Sequence, residues 1–184
     1  MALTDPKTSV RSDAIATLAS YRSGKYNDIF VKAIQDSSYV VAAAGVDALV
    51  GMENVSEYLP KIQALKSTEN ENVISALGTF YARHGSGSEY AWFEKQIEDL
   101  SDASLNSFLQ TFAGYLYKAQ PSDRAKGIQL LNKIARTHQT YYVRMGAMQG
   151  LSILGDEPGV KDYITEIKAQ EKDERLLEIY RTIP

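Results

Sequence analysis

Val10-Arg11-Ser12-Asp13-Ala14-Ile15-Ala16-Thr17-Leu18 returns near the other end of the chain as Val143-Arg144-Met145-Gly146-Ala147-Met148-Gln149-Gly150-Leu151, with Val, Arg, Ala and Leu in the same register. Positions four and eight residues apart share one face of a helix, so the pattern describes an apolar stripe. Between the two copies the stripe continues as Val41, Gly45 and Leu49, as Val73, Leu77 and Tyr81, and as Leu105, Leu109 and Ala113. Its first positions step by 31, 32, 32 and 38 residues. A second register, Ile34, Leu65, Ile97, Ile134 and Ile167, steps by 31, 32, 37 and 33. Two independent registers with one period make a repeat of paired helices.

Working outward, apolar residues recur at spacings of three and four almost throughout, while alternating runs and Asn-Gly or Asp-Gly hairpin signals are missing. The expected fold is all-α. Breakers divide the chain into about ten helices: Asp5-Pro6 before the first, Ser23-Gly24 after it, Gly51 closing the third and His84-Gly85-Ser86-Gly87 closing the fifth. Pro121 and Pro158 suit helix starts, and Pro60 suits a first turn, where a missing N–H costs little. Ala14, Gly45 and Ala147 at mid-stripe would let neighbouring helices approach closely. A helical hairpin cannot cover its own stripe, and stacking on the next hairpin does so. We therefore expect one domain over 1–184, a right-handed α-solenoid with units at 5–36, 37–68, 69–99, 100–137 and 138–173, and a closing helix at 174–184.

The 184 residues suit a single domain by length, and 44% apolar with 23% charged residues excludes a disordered chain. With no Cys, a thiolate nucleophile, an iron–sulfur cluster, Cys-ligated zinc and a structural disulfide are all excluded. A net charge of −3 gives no basic field for nucleic acid. The longest nearly apolar run, Tyr39 to Met52, is broken by Asp47 and is too short to span a membrane. Neither a nucleic-acid nor a membrane partner is expected, and residues Met1 to Lys7 carry no export signal.

The pattern Asp-x-x-x-x-Val-Arg-x-x-Ala-x-x-x-Leu, from Asp5 to Leu18, resembles the first helix of HEAT repeats. The tetratricopeptide signature is not met in any unit. Ala33-Ile34-Gln35-Asp36-Ser37-Ser38-Tyr39-Val40-Val41-Ala42-Ala43-Ala44, at a repeat junction, looks like the C-terminal helical domain of bacterial aminopeptidase N-like zinc metallopeptidases. That resemblance implies a multidomain parent enzyme that removes N-terminal residues from peptides. This chain would wall its chamber, against the catalytic domain of the same polypeptide, with zinc held elsewhere. The family's His-Glu-x-x-His is absent, since His84 precedes Gly85-Ser86-Gly87 and His138 precedes Gln139-Thr140-Tyr141. No cofactor is expected in this chain, and the isolated chain should be inactive. Gly51-Met52-Glu53-Asn54 is similar to the tail of the family's Gly-x-Met-Glu-Asn motif, but no zinc motif follows it. Gly51 reads as a helix stop and Asn54 as the cap of a helix starting near Val55.

The 12 tyrosines are the unusual feature of the composition. Tyr26, Tyr58, Tyr90 and Tyr163 belong to second helices or their starts, and Trp92 begins the third of them. These five are the candidate contacts for a peptide or protein on a concave face, because Tyr offers rigid area and a polar handle. The competing reading makes them fillers of gaps between repeats. Arg11 and Arg144 are expected to pack along a neighbouring helix and pair with a carboxylate. His84 and His138 are expected to cap or be solvated.

Overall fold

Asp5 Oδ1 accepts the Lys7 N–H at 2.8 Å, turning the chain into the first helix. The computed structural model describes residues 3–182, and among these there are eleven α-helices and no strand. In chain order they are α1 (Thr8–Ser20), α2 (Asn27–Ala33), α3 (Tyr39–Val50), α4 (Leu59–Gln63), α5 (Glu71–His84) and α6 (Tyr90–Asp99). α7 (Asp102–Leu116) pairs with α8 (Pro121–Thr137), α9 (Tyr141–Ile153) with α10 (Val160–Gln170), and α11 (Glu174–Tyr180) follows. Residues 183 and 184, the end of the expected closing helix, lie outside the described residues. Internal packing divides the chain into two compact units, Met1–His84 and Gly85–Pro184.

In the first unit α1, α3 and α5 lie side by side, with α2 packed on α3. The α2–α3 approach depends on Gly45. A Cβ there would stand 2.8 Å from the Phe30 carbonyl oxygen and 2.9 Å from the Ile34 nitrogen. The stripe is buried in α3 through Val41 and Leu49, and in α5 through Val73, Leu77 and Tyr81. Each such aliphatic or aromatic side chain contributes roughly 1.5–3 kcal/mol. In α1 the stripe is only half covered: Val10 is 43% exposed, and Ile15 is its fully buried residue. The helices packed against α1 are α3 and α2.

The second helix of the second pair departs from the 3.6-residue expectation. A 3-10 turn, Ser56–Tyr58, leads into a five-residue α4 with Pro60 in its first turn. Ile62, fully buried, anchors it, and Leu65 is only half-buried. Asn54 does not cap this helix. Its φ of +56° makes it the left-handed turn residue, a conformation Asn tolerates better than most side chains. Gly51 does stop α3, in an ordinary right-handed conformation with φ −82°.

In the second unit α7 and α9 are the closest pair, with α8 and α10 packed on α9 and α6 on α7. Gly146 sets the α7–α9 distance, since a Cβ there would lie 2.4 Å from the Asn106 carbonyl oxygen. A Cβ on Gly150, one turn on, would lie 3.1 Å from the Leu109 carbonyl oxygen. Polar links follow the same seam: Thr140 Oγ1 donates to Asp102, Asn106 Nδ2 to the Tyr142 carbonyl, and Gln110 Nε2 to Gln149 Oε1 at 3.0 Å. Pro121 opens α8 as expected, whereas Pro158 sits in the turn ahead of α10, whose start is set by Gly159 at φ +79°. In α8 the fully buried anchor is Leu131, and Ile134 is half-buried.

Before α6, Glu89 folds back on its own loop. Its carboxylate accepts from the Ser86 Oγ and from the Ser86 and Gly87 backbone N–H groups at 2.8–3.2 Å. Gly87, at φ +88°, leaves no room for a Cβ against the Lys118 carbonyl oxygen. The acidic side chain is thereby satisfied although it is buried.

Candidate functional site

The five aromatic residues singled out in the sequence fall in both units. Tyr26 and Tyr58 belong to the first, Tyr90, Trp92 and Tyr163 to the second. Tyr26 is half-buried, with its ring 6.2 Å from that of Tyr21 and with Lys25 Nζ 4.7 Å from its centroid. Tyr58 is half-buried, and its phenol is pushed up, first by a hydrogen bond to Glu57 and then by burial.

Tyr90 is a core residue. It is only 6% exposed, its ring is 6.0 Å from Phe112, and its hydroxyl donates to Glu94 at 3.1 Å. Burial, followed by the Glu94 charge, raises its phenol. Trp92 packs edge-on against Phe93 at 5.0 Å and Phe108 at 6.0 Å, at the rim of a cluster in which Phe93 stacks on Tyr115 at 4.4 Å. The large area that makes these rings good contacts also makes them good filling between α6 and α7.

Tyr163 is the candidate that stands in a cleft. It lines a space of about 330 Å³ between α8 and α10 together with Pro121, Ala125, Ile128, Glu157 and Pro158. Arg124, also lining the cleft, holds its shape: Nη1 pairs with Glu157 at 2.7 Å, while Nε and Nη2 donate to the Leu116 and Tyr117 carbonyls at 2.9 Å. An aromatic ring, two prolines and a charged pair lining one cleft offer apolar area and orientation to an extended segment.

A larger groove lies in the first unit across α1, α3 and α5, and the sequence reading passed it over. It encloses about 560 Å³, with Ala16, Ala43, Ala44 and Ala76 as small lining residues and Asp13 and Asp47 as its carboxylates. No lysine or arginine lines it. Asp47 had a visible signal in the sequence, as the residue interrupting the apolar run of α3. It reaches solvent inside the concavity, yet the surrounding protein pushes its carboxyl above the ordinary range by desolvation.

His84 Nε2 lies 2.9 Å from the Val50 carbonyl oxygen, tying the end of α5 to the end of α3, whereas His138 Nδ1 accepts the Thr140 N–H at 3.2 Å and finishes a local turn. The two belong to different units, and among the described residues no three His, Cys, Asp or Glu side chains group as metal ligands. No described helix is long and apolar enough to cross a membrane. No family model, curated protein or solved structure matches the chain.

Proposed function

We propose that this chain is a HEAT-like, right-handed α-solenoid domain that carries no catalytic machinery. By its resemblance it would wall the substrate chamber of an aminopeptidase N-like zinc metallopeptidase and touch the distal part of a peptide. The observation supporting the reading is the recurrence of one clamp in the first and last hairpins. Arg11 binds Asp36 at the end of its hairpin and the Asp5 and Pro6 carbonyls ahead of its helix. Arg144 binds Glu171 and the His138 and Gln139 carbonyls at the matching positions. Recurrent wiring of this kind suits stacked, interchangeable hairpins.

The native polypeptide tests this reading. An antibody raised against the chain should detect a multidomain protein in the source cells, and the immunopurified protein should carry zinc and release N-terminal residues from peptides. A native product of 20.4 kDa without zinc would end the reading.

The cleft beside Tyr163 favours a second reading, a free-standing scaffold that grips an extended protein segment between α8 and α10. Here the native product is the 184-residue chain itself. A partner recovered with it should be lost on Tyr163→Ala and kept on Tyr21→Ala, a change at a residue 66% exposed in the other unit. A partner equally retained by both variants would remove the cleft from consideration.

A further inference from the structure

The loop between α3 and α4 goes beyond both readings, since neither gives it a task. Of the six asparagines in the chain, Asn54 alone is followed two residues on by Ser or Thr, and Val55 rather than Pro stands between them. Asn-x-Ser is the acceptor pattern for an N-linked glycan, in which the hydroxyl two residues on helps to present the side-chain amide for transfer.

The fold holds this tripeptide in the form an acceptor needs. Val55, 4% exposed, anchors its middle in the core, while Asn54 and Ser56 are both exposed. The left-handed backbone at Asn54, φ +56°, places its amide on a turn ahead of the 3-10 segment and not on a helix face. Other asparagines are engaged or enclosed. Asn70 Oδ1 accepts the Asn72 and Val73 N–H groups at 3.2 and 3.4 Å, Asn106 Nδ2 donates to the Tyr142 carbonyl, Asn132 Oδ1 accepts from Arg136, and Asn27 is buried. The side chains of Asn54 and Ser56 make no hydrogen bond with a described residue. A left-handed turn accounts for Asn or Gly at position 54, but it asks for no hydroxyl at position 56.

We propose that Asn54 is the acceptor of an N-linked oligosaccharide. Its Nδ2 forms a bond to the anomeric carbon of a sugar carried on a lipid pyrophosphate. The carbon–oxygen bond to the pyrophosphate breaks, the lipid pyrophosphate leaves with that electron pair, and Nδ2 releases one proton. Nothing is oxidised or reduced. The folded chain gives up no hydrogen bond in the exchange, because the Asn54 amide has none to lose, and its exposure leaves space for the sugar. Such a transfer takes place across a membrane from the cytosol, so the proposal carries this loop into that compartment.

The native protein provides the test. Trypsin releases residues 33–61 as one peptide, since no Lys or Arg lies between Lys32 and Lys61. In protein purified from the source cells, the mass of this peptide should exceed its sequence value by hexose and N-acetylhexosamine units. Electron-transfer fragmentation should place the increment on Asn54. A tagged copy expressed in the same cells should lose the increment on Asn54→Gln and on Ser56→Ala, and keep it on Ser56→Thr. Recovery of the native peptide wholly at its sequence mass would overturn the proposal. So would an increment that survives Ser56→Ala or that maps to another residue.

Discussion

Arg11 grips Asp36 with both sides of its guanidinium, Nε to Oδ2 at 2.9 Å and Nη2 to Oδ1 at 2.8 Å, while Nη1 donates to the Asp5 carbonyl at 2.8 Å. One planar group thus closes a hairpin across 25 residues and fixes the turn that leads into it. The guanidinium holds the Asp36 carboxyl below the usual carboxylate range, and Asp36 in turn accepts the Ser38 N–H at the entry to α3. Arg144 does the same work with Glu171 across 27 residues.

A lysine keeps the charge at these positions and loses the fork. Arg11→Lys and Arg144→Lys are each expected to cost ~1–2 kcal/mol. Arg144→Met should cost more, about 2–3 kcal/mol, since it strands the Glu171 side chain, which is 9% exposed. Urea unfolding followed by circular dichroism measures all three. Midpoints equal to the parent's would show that the clamps add nothing to stability.

The glycines of the second unit order themselves by what a Cβ would meet. Gly146→Ala drives a methyl into the Asn106 carbonyl and should destabilise by about 2 kcal/mol or more, with Gly150→Ala milder. At Gly114 nothing lies within 4 Å, so Ala should stabilise α7 by ~0.5–1 kcal/mol. Melting temperatures should therefore fall in the order Gly114→Ala, parent, Gly150→Ala, Gly146→Ala. A Gly146→Ala protein as stable as the parent would contradict the tight α7–α9 seam.

Ala147 is fully buried on the face beside those glycines. Replacing it with Leu adds three carbons where there is no room, and the expected cost is about 1–3 kcal/mol. A thermal melt indistinguishable from the parent's would mean that α9 presents another face to its neighbours.

Asp173 caps α11, accepting the Arg175 N–H at 3.1 Å and its guanidinium at 2.7 Å. Arg175 above all, with Arg144 as a further charge, lowers its carboxyl to about 2. A lowered folded-state value means that the stabilisation is present above the unfolded value of about 3.9 and is lost as pH falls from there to about 2. Unfolding free energy measured against pH should be steeper in that window for the parent than for Asp173→Asn. Superimposable curves would rule out this contribution. The Arg175 guanidinium also lies 3.7 Å from the Tyr141 ring centroid, so the same variant should loosen α11 from α9.

Much of the helical layout was legible before any coordinates. The Val-Arg-x-x-Ala-x-x-x-Leu frame finds α1 and α9, and Asp5-Pro6, Gly51 and Pro121 fall at helix ends. Second helices were read less well. In α4 the expected helix becomes a 3-10 turn and barely more than one helical turn, because Asn54 and Pro60 consume the sequence that would have extended it. In α1 Val10 stays 43% exposed although it opens the stripe, and a pattern cannot report how many neighbours cover a helix. The candidate site was less legible still. Tyr90 and Tyr163 occupy comparable places in the repeat, yet one is sealed beneath Phe112 and Lys126 while the other lines an open cleft.

The amino-acid sequence by itself determined that this chain is helical and where several of its helices break. Those properties follow from spacings of three and four residues and from breakers a few residues long, which act through local backbone geometry. Tertiary structure alone decided which tyrosines became core and that Gly146 rather than Ala147 sets the closest helix approach. Burial and pairing are set by groups tens of residues apart in the chain, and only packing brings those groups within reach of one another.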